Sequence, residues 1–568
     1  MKLKASTSRK LRYGGVTAVL TALIIAVVII FNVGFSALAQ KFLWYADLTP
    51  ELIFTLSDNC LDLMENGDPT FENSSSPIKA LNEHRAARKA ADPNFKDEEL
   101  MIEIVFCDDP DAWESNAAQR YVYETAKQLE SEYPEYIKVS TVNIIWNPSA
   151  VKQYEGVSQT SVIIRYDLPD EDPRPEYRVR ALTDFYVFNT DDTTEEPWAY
   201  NGEKIMVAAI LAVTRADAPI ACITTNHGES FEDTELLMTL DTAGFRVQAL
   251  NLAEEEIPES CRLIVVYNPK SDFAVAGMPL ANGQFTTVDE TKKLETFLDG
   301  TNSLMVFMAP GDPLPEFEEY LAEWGIQYNR LEKDGATYPY MVQDTSQSLT
   351  VDGFSIKADY YLQGLGGKLT EQLRKRTSVS PAMIFQNAMP ISFSEEYDPV
   401  HYVDEEDSSI QYDYATRSVD GHYRSIYNVF TTSENAIAVA NGEEVAKATA
   451  AEPFKLMTVS VEDRSTQESN YTSVNEASYV IACGSPEFAS QALLQSNAYG
   501  NNAFLEYALR TIGQEPVPVG LTFKPFGDTT IDTVTTSEAT QYTVVLTVVP
   551  ALAALVTGVV IIVRRKHR

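Results

Sequence analysis

Apolar and polar positions divide this chain into two uncharged ends and a long patterned middle. The ends are residues 14–39 (GGVTAVLTALIIAVVIIFNVGFSALA) and 542–563 (YTVVLTVVPALAALVTGVVIIV). A helix needs about 20 predominantly apolar residues to cross a hydrocarbon core of roughly 30 Å, so both runs are long enough. The pattern predicts transmembrane helices over 13–39 and 542–563. Pro550 is tolerable in the second, because neighbouring helices can satisfy the carbonyl it frees.

Lys2, Lys4, Arg9, Lys10 and Arg12 precede the first run, and Arg564, Arg565, Lys566 and Arg568 follow the second. Basic flanks stay on the cytoplasmic side, which places the tips 1–12 and 564–568 inside. The expected localisation is the plasma membrane, crossed twice, with both termini cytoplasmic and the bulk of the chain extracytoplasmic. A cleaved signal peptide is the rival for the first run, since Ala37-Leu38-Ala39 before Gln40 fits a cleavage site. Signal h-regions run about 7 to 15 residues, and the longer run here favours an uncleaved anchor.

Between the anchors, strand-like and helix-like periods alternate, which predicts an α/β fold. Residues 47–66 hold two helix starts, at Thr49-Pro50-Glu51 and at Leu56-Ser57-Asp58, with Ser57 as N-cap. Residues 67–98 read as an inserted, exposed polar segment, in part helical. Next come strand 101–107 (MIEIVFC), helix 114–131, strand 137–145 (IKVSTVNII), a short helix at SAVKQYEG and strand 160–166. An amphipathic helix over 203–214 closes this first part, expected to span 40–215. Its order resembles a thioredoxin-like domain, but Cys107-Asp108-Asp109-Pro110 stands where a redox version needs C-x-x-C.

The second part is expected over 216–525, with a linker at 526–541. Strands 219–225, 244–250, 261–269 and 303–310 alternate with helices 231–243, 287–300 and 317–327. That alternation indicates a mostly parallel, doubly wound sheet. After residue 340 the pattern turns more β-like, and 478–490 with helix 502–513 returns to α/β.

Composition changes the picture in two ways. The formal charge is −38, and setting aside the nine basic residues of the tips leaves 35 basic against 82 acidic residues, a net of −47. Such a field repels nucleic acid and anionic headgroups, so no nucleic-acid partner is expected. The five cysteines (Cys60, Cys107, Cys222, Cys261, Cys483) are odd in number and widely spaced, which argues for free buried thiols rather than a disulfide framework or zinc site. Low cysteine use outside the cell suits a bacterium.

Chemistry-bearing motifs are few. No H-E-x-x-H, G-x-S-x-G or P-loop occurs. The acidic runs Asp404–Asp407 and Asp170–Asp172 lack EF-hand spacing and read as solvated surface. The candidate site is the turn Asn226-His227-Gly228-Glu229, at the carboxyl end of a strand, where open α/β sheets bind ligands. It reads as a ligand- or partner-binding turn or, alternatively, as a structural turn with Glu229 in the first turn of the following helix. No cofactor, metal or catalytic group is expected.

Several blocks in order resemble the GldG-type auxiliary proteins of gliding-motility-associated ABC transport systems. They are DLTPELIFTLSD after the first run, TTNHGES (224–230), GFRVQALNL (244–252), IPESCRLIVVYNPKSDF (257–273), VDETKKLETFLDGTNSLMVFMAP (288–310) and ACGSPEFAS (482–490). The resemblance implies a non-catalytic, membrane-anchored auxiliary subunit, partnered by an ABC permease and a P-loop ATPase encoded separately and by membrane lipid. Its ectodomain would serve assembly, gating or cargo handling. The family's turn reads Gly-His-Gly-Glu, and Asn226 stands here at the first glycine. The second part also resembles the class I glutamine-amidotransferase-like fold, whose enzymes need a nucleophile at a strand-to-helix elbow. Pro310-Gly311-Asp312 supplies none after strand 303–310. A membrane-anchored envelope hydrolase and a structural or adhesion ectodomain are the alternative functions.

Overall fold

A computed structural model of the chain describes most of residues 52–526. Outside that stretch it describes only Leu23, Ala26, Val27, Ile29, Ile30, Phe31, Val556 and Arg564. Within it, residues 68–75, 155, 167–176, 189–196, 216–218, 230–233, 280–284, 377–379, 405–409, 420, 470–471, 497 and 514–520 are not described. The Thr49 helix start, most of both apolar runs, the linker and nearly all of the two acidic runs therefore lie outside the described residues. Among the described residues no helix is long and apolar enough to cross a membrane.

The fold is mixed α/β, and its two largest sheets, of 4 and 13 strands, each carry their own core. The first part opens with α1 (Asp58–Asn66), capped as expected by the Ser57 side chain, which accepts from the Cys60 N–H. Helix α2 (Pro77–Ala91) follows, starting at Ser76 and Pro77. It is largely exposed, as the polar pattern suggested, but carries one buried stripe. Leu81 is fully buried, and the buried Arg85 donates to the carbonyls of Leu100 and Glu135.

Strand β1 (Ile102–Phe106) leads through α3 (Pro110–Ser115) and α4 (Ala117–Glu132) to β2 (Ile137–Thr141), parallel to β1. Strands β3 (Val162–Tyr166) and β4 (Tyr177–Arg180) add antiparallel on the other side, giving the order β2-β1-β3-β4. Strand β2 stops at Thr141, four residues short of the expected end, and the expected helix after it is only a 3₁₀ turn at Pro148–Val151. Alternate residues of β1 serve two cores: Ile102, Ile104 and Phe106 face the helices, and Val105 enters a smaller cluster with Ile163 and Cys107.

Two short strands, β5 (Tyr186–Phe188) and β6 (Pro197–Tyr200), precede α5 (Gly202–Thr214). All 13 residues of α5 are buried, so this helix is not amphipathic. It packs on β3 and β4, on α1, α2 and α4, and on α6 (Thr234–Thr242) of the second part. A helix covered on every side is apolar all round. Its Lys204 forms a buried ion pair with Glu506, in the helix Asn501–Gly513 of the second part. Arg178 and Arg180 of β4 both pair with Asp241 of α6, joining the two parts again.

The second part is built on β7 (Ile220–Thr224), β8 (Arg246–Leu250), β9 (Cys261–Tyr267) and β10 (Ser303–Phe307). With Thr472–Cys483 they form a parallel array ordered β8-β7-β9-β10-(472–483). Helices α7 (Glu290–Asp299) and α8 (Pro315–Glu323) cover one face, while α6 and the helices Gly364–Arg376 and Asn501–Gly513 cover the other. The strands Lys455–Ser469, His422–Thr431, Ser355–Tyr360 and Met383–Gln386 then extend the sheet antiparallel. This is the β-like stretch after residue 340. All five cysteines are free and buried.

The last described segment leaves the second part. Lys524–Pro525 pairs antiparallel with Tyr200 and Ala199 of β6, and Leu521 enters the first core. Residues 521–526 thus pack with the first part, in a small sheet with β6 and β5, although the pattern assigned 521–525 to the end of the second part and 526 to the linker.

Candidate functional site

Chain order reverses around β7: its sequence neighbour β8 lies on one side and β9 on the other. Loops leaving the carboxyl ends of β7 and β9 therefore part in opposite directions, which opens a crevice in sheets of this kind. The turn 226–229 leaves β7 there. Gly228 sits at φ 79°, in the left-handed region where a side chain is strained. The His227 carbonyl accepts the N–H groups of Lys270 (2.7 Å) and Ser271 (2.9 Å), which ties the turn to the loop after β9.

The His227 ring is held from both edges. Nδ1 lies 3.1 Å from Glu229 Oε1 and Nε2 lies 3.1 Å from Glu290 Oε2, and all three side chains are buried. Each carboxylate is itself fixed. Glu229 accepts from Thr224 Oγ1 at 2.6 Å and from the His227 N–H at 2.7 Å. Glu290, the first residue of α7, accepts from Asn226 Nδ2 and from the Ala274 N–H, each at 2.6 Å. One face of the imidazole stacks on Phe273 at 3.7 Å, and Phe273 stacks on Phe317 at 4.1 Å. The turn is a buried Glu–His–Glu cluster standing on an aromatic column.

Burial alone pulls the pKa of His227 down. The hydrogen bonds and charges of Glu229 and Glu290 more than offset that and raise it to about 9. Burial raises both carboxylates, but bonding to His227 and the other donors brings each below its ordinary value. At neutral pH the ring is therefore an imidazolium with both N–H groups committed. A cation without a free lone pair is neither a general base nor a metal ligand. The cluster fixes the turn, while Thr225 and Gly228 remain exposed on its outside.

A pH dependence follows. The raised His227 pKa contributes stability that is complete below about 6.5 and is lost as pH rises through about 9. The lowered carboxylates contribute stability that is present above about 4.5 and lost as pH falls through their lower folded values. The cluster is thus most stabilising between about pH 4.5 and 6.5. Urea midpoints should fall from pH 6.5 to pH 9 in the wild type by more than in His227→Gln. Parallel profiles for the two proteins would contradict the assignment.

The structure brings together Asn226, His227 and Glu229, with Gly228 shaping the turn, as the local pattern suggested. It adds Glu290, which sequence reasoning missed. Glu290 lies 61 residues beyond Glu229 and reads as an ordinary first-turn acid after the N-cap Asp289, whose side chain accepts from the Lys292 N–H. Its burial at the head of a helix is visible only in three dimensions. Among the described residues no group of His, Cys, Asp and Glu is arranged to hold a metal ion.

No protein-family model matches the chain, and no curated protein does. Among solved structures it is similar to the cytoplasmic protein STM3548 from Salmonella typhimurium, at 10% identity and a TM-score of 0.23, over 52% of this chain and 98% of that one. A likeness at that level carries no argument about fold or function.

Proposed function

We propose that this chain is a non-catalytic auxiliary subunit of an ABC-type transport assembly, anchored in the plasma membrane by helices at both ends. The observation that carries this reading is the meeting of the two ends of the extracytoplasmic body. Lys524 Nζ donates to the carbonyls of Leu52 (3.0 Å) and Thr55 (2.6 Å) and pairs with Glu203 at the start of α5. Ser57 bonds the same carboxylate through both its N–H and its hydroxyl. Entry and exit are clasped at one point, which suits a body hung from two helices in one membrane. Residues 40–51 and 527–541 are then the tethers, reaching at most about 40 and 50 Å at roughly 3.3–3.6 Å per residue. The described positions of the first apolar run, Leu23, Ala26, Val27 and Ile29 to Phe31, are helical with exposed side chains, as lipid-facing residues would be.

The internal features agree with a scaffold rather than a catalyst. The order β2-β1-β3-β4 with α5 closing it supports a thioredoxin-like reading of the first part. Its Cys107 is buried, and burial pushes the thiol up to about 11, far from a reactive thiolate. Cys107→Ser should therefore leave assembly and transport within about twofold of wild type, and a larger loss at unchanged stability would contradict the non-redox reading. The locked imidazolium of the second part favours the partner-binding or structural roles of the turn over catalysis by an amidotransferase-like centre.

Isolation of the intact chain in mild detergent tests the proposal. Recovery of a multi-span permease and a P-loop ATPase in fixed ratio is expected. Recovery of the chain alone, under conditions that keep membrane complexes together, would contradict it.

A further inference from the structure

The connection after β2 displays two large apolar side chains to solvent on a fixed frame. Ile145 is 61% exposed and Trp146 84%. Their backbone is fixed by Asn143, whose Oδ1 accepts from the Ile145 (3.1 Å) and Trp146 (3.2 Å) N–H groups. Asn143 Nδ2 in turn donates to Asp108 Oδ1 (3.2 Å) and Asp109 Oδ2 (2.8 Å). The Asn147 N–H closes the turn onto the Asn143 carbonyl at 2.9 Å. Val142 and Ile144 pack against the small core that holds Cys107, while Ile145 and Trp146, in the turn that follows the strand, stay outside. A tryptophan held outward on an ordered turn loses little entropy when it is buried by a partner, and this residue type dominates binding energy at interfaces.

Two further observations indicate what covers this tip. It lies at the carboxyl end of the parallel β1–β2 pair, the end from which α4 starts back. Phe54, just after the chain's entry, stacks on Tyr121 in the second turn of α4 at 4.8 Å, and Phe526, at its exit, lies against the same ring at 5.6 Å. Tip and tethers therefore share one end of the first sheet, the end nearest the membrane in the reading above. The β1–α4 connection beside the tip also carries Asp108, Asp109, Asp111 and Glu114, whose charge opposes anionic headgroups and favours a basic rim.

We propose that Ile145 and Trp146 form a docking tip that inserts into an apolar socket rimmed by Lys or Arg on the extracytoplasmic face of the partner permease. This rests on the auxiliary-subunit reading. The test uses the full chain in its native membrane. The variant Ile145→Ser with Trp146→Ala should keep the wild-type melting temperature, because both side chains are solvent-exposed, and should recover at least tenfold less permease in mild detergent. A photo-reactive phenylalanine analogue in place of Trp146 should cross-link to that same permease. If the wild type recovers the permease and the variant recovers as much, the tip is refuted while the auxiliary role stands. Cross-linking into lipid alone overturns the protein socket in favour of a membrane contact. If the wild type recovers no permease, the auxiliary role falls and the proposed partner with it.

Discussion

Glu290→Ala should lower the unfolding free energy of the second part by about 3–5 kcal/mol, the usual effect of removing one partner from a buried ion pair. Glu290 is held by His227, Asn226 and the Ala274 N–H, so its loss leaves a buried imidazolium short of one carboxylate and two further donors without an acceptor. Glu290→Gln keeps an acceptor and removes only the charge, and about 1–3 kcal/mol is expected. Denaturant midpoints of the purified variants check the order. A Glu290→Ala loss below about 1 kcal/mol would show that the cluster is not what fixes the turn. Comparing permease recovery for the same variants separates structure from recognition: a lowered midpoint with intact recovery assigns the cluster to folding alone.

Lys204→Ala should cost a similar amount, about 3–5 kcal/mol, and should also separate the unfolding of the two parts. Lys204 and Glu506 are both buried, and alanine leaves the carboxylate in the interface without its counter-charge. The neighbouring Glu203 holds the Lys524 clasp, so one turn of α5 grips both the tethers and the second part. Lys204→Met combined with Glu506→Leu should recover most of the loss, since well-packed apolar residues commonly replace a buried pair without cost. A double variant no better than Lys204→Ala would mean that packing of α5, and not charge pairing, limits the interface.

The sequence read best where each element hides one face or both in a regular period. Strands β1, β7, β9 and β10 stand out as short apolar runs, and their alternation with helices carries the parallel order. Ser57 is legible as a cap because N-capping is local chemistry. Three misreadings share one cause, which is burial that sequence does not display. Arg85 hides the one buried stripe of the otherwise exposed α2, because its charge is satisfied by carbonyls. Helix α5 looks amphipathic because Glu203 and Lys204 open it, yet both are buried, Lys204 against Glu506 and Glu203 against the half-buried Lys524 and Ser57. Residues 521–526 look like a tail because their pairing strand, β6, lies more than 300 positions away. The site was legible only to the extent that it was local. Asn226, His227 and Glu229 share one turn, whereas Glu290 and Phe273 reach His227 through the sheet's crossover.

The central claim is a body clasped at one point and hung from two membrane helices with both tips in the cytoplasm. It is tested most directly by fusing a reporter that is active only in the cytoplasm to residue 568 and, separately, to residue 1. A third fusion after residue 526 marks the body. Activity at both ends with silence at 526 is the expected result. Activity at 526, or a silent C-terminal fusion on a stably expressed chain, would contradict the account.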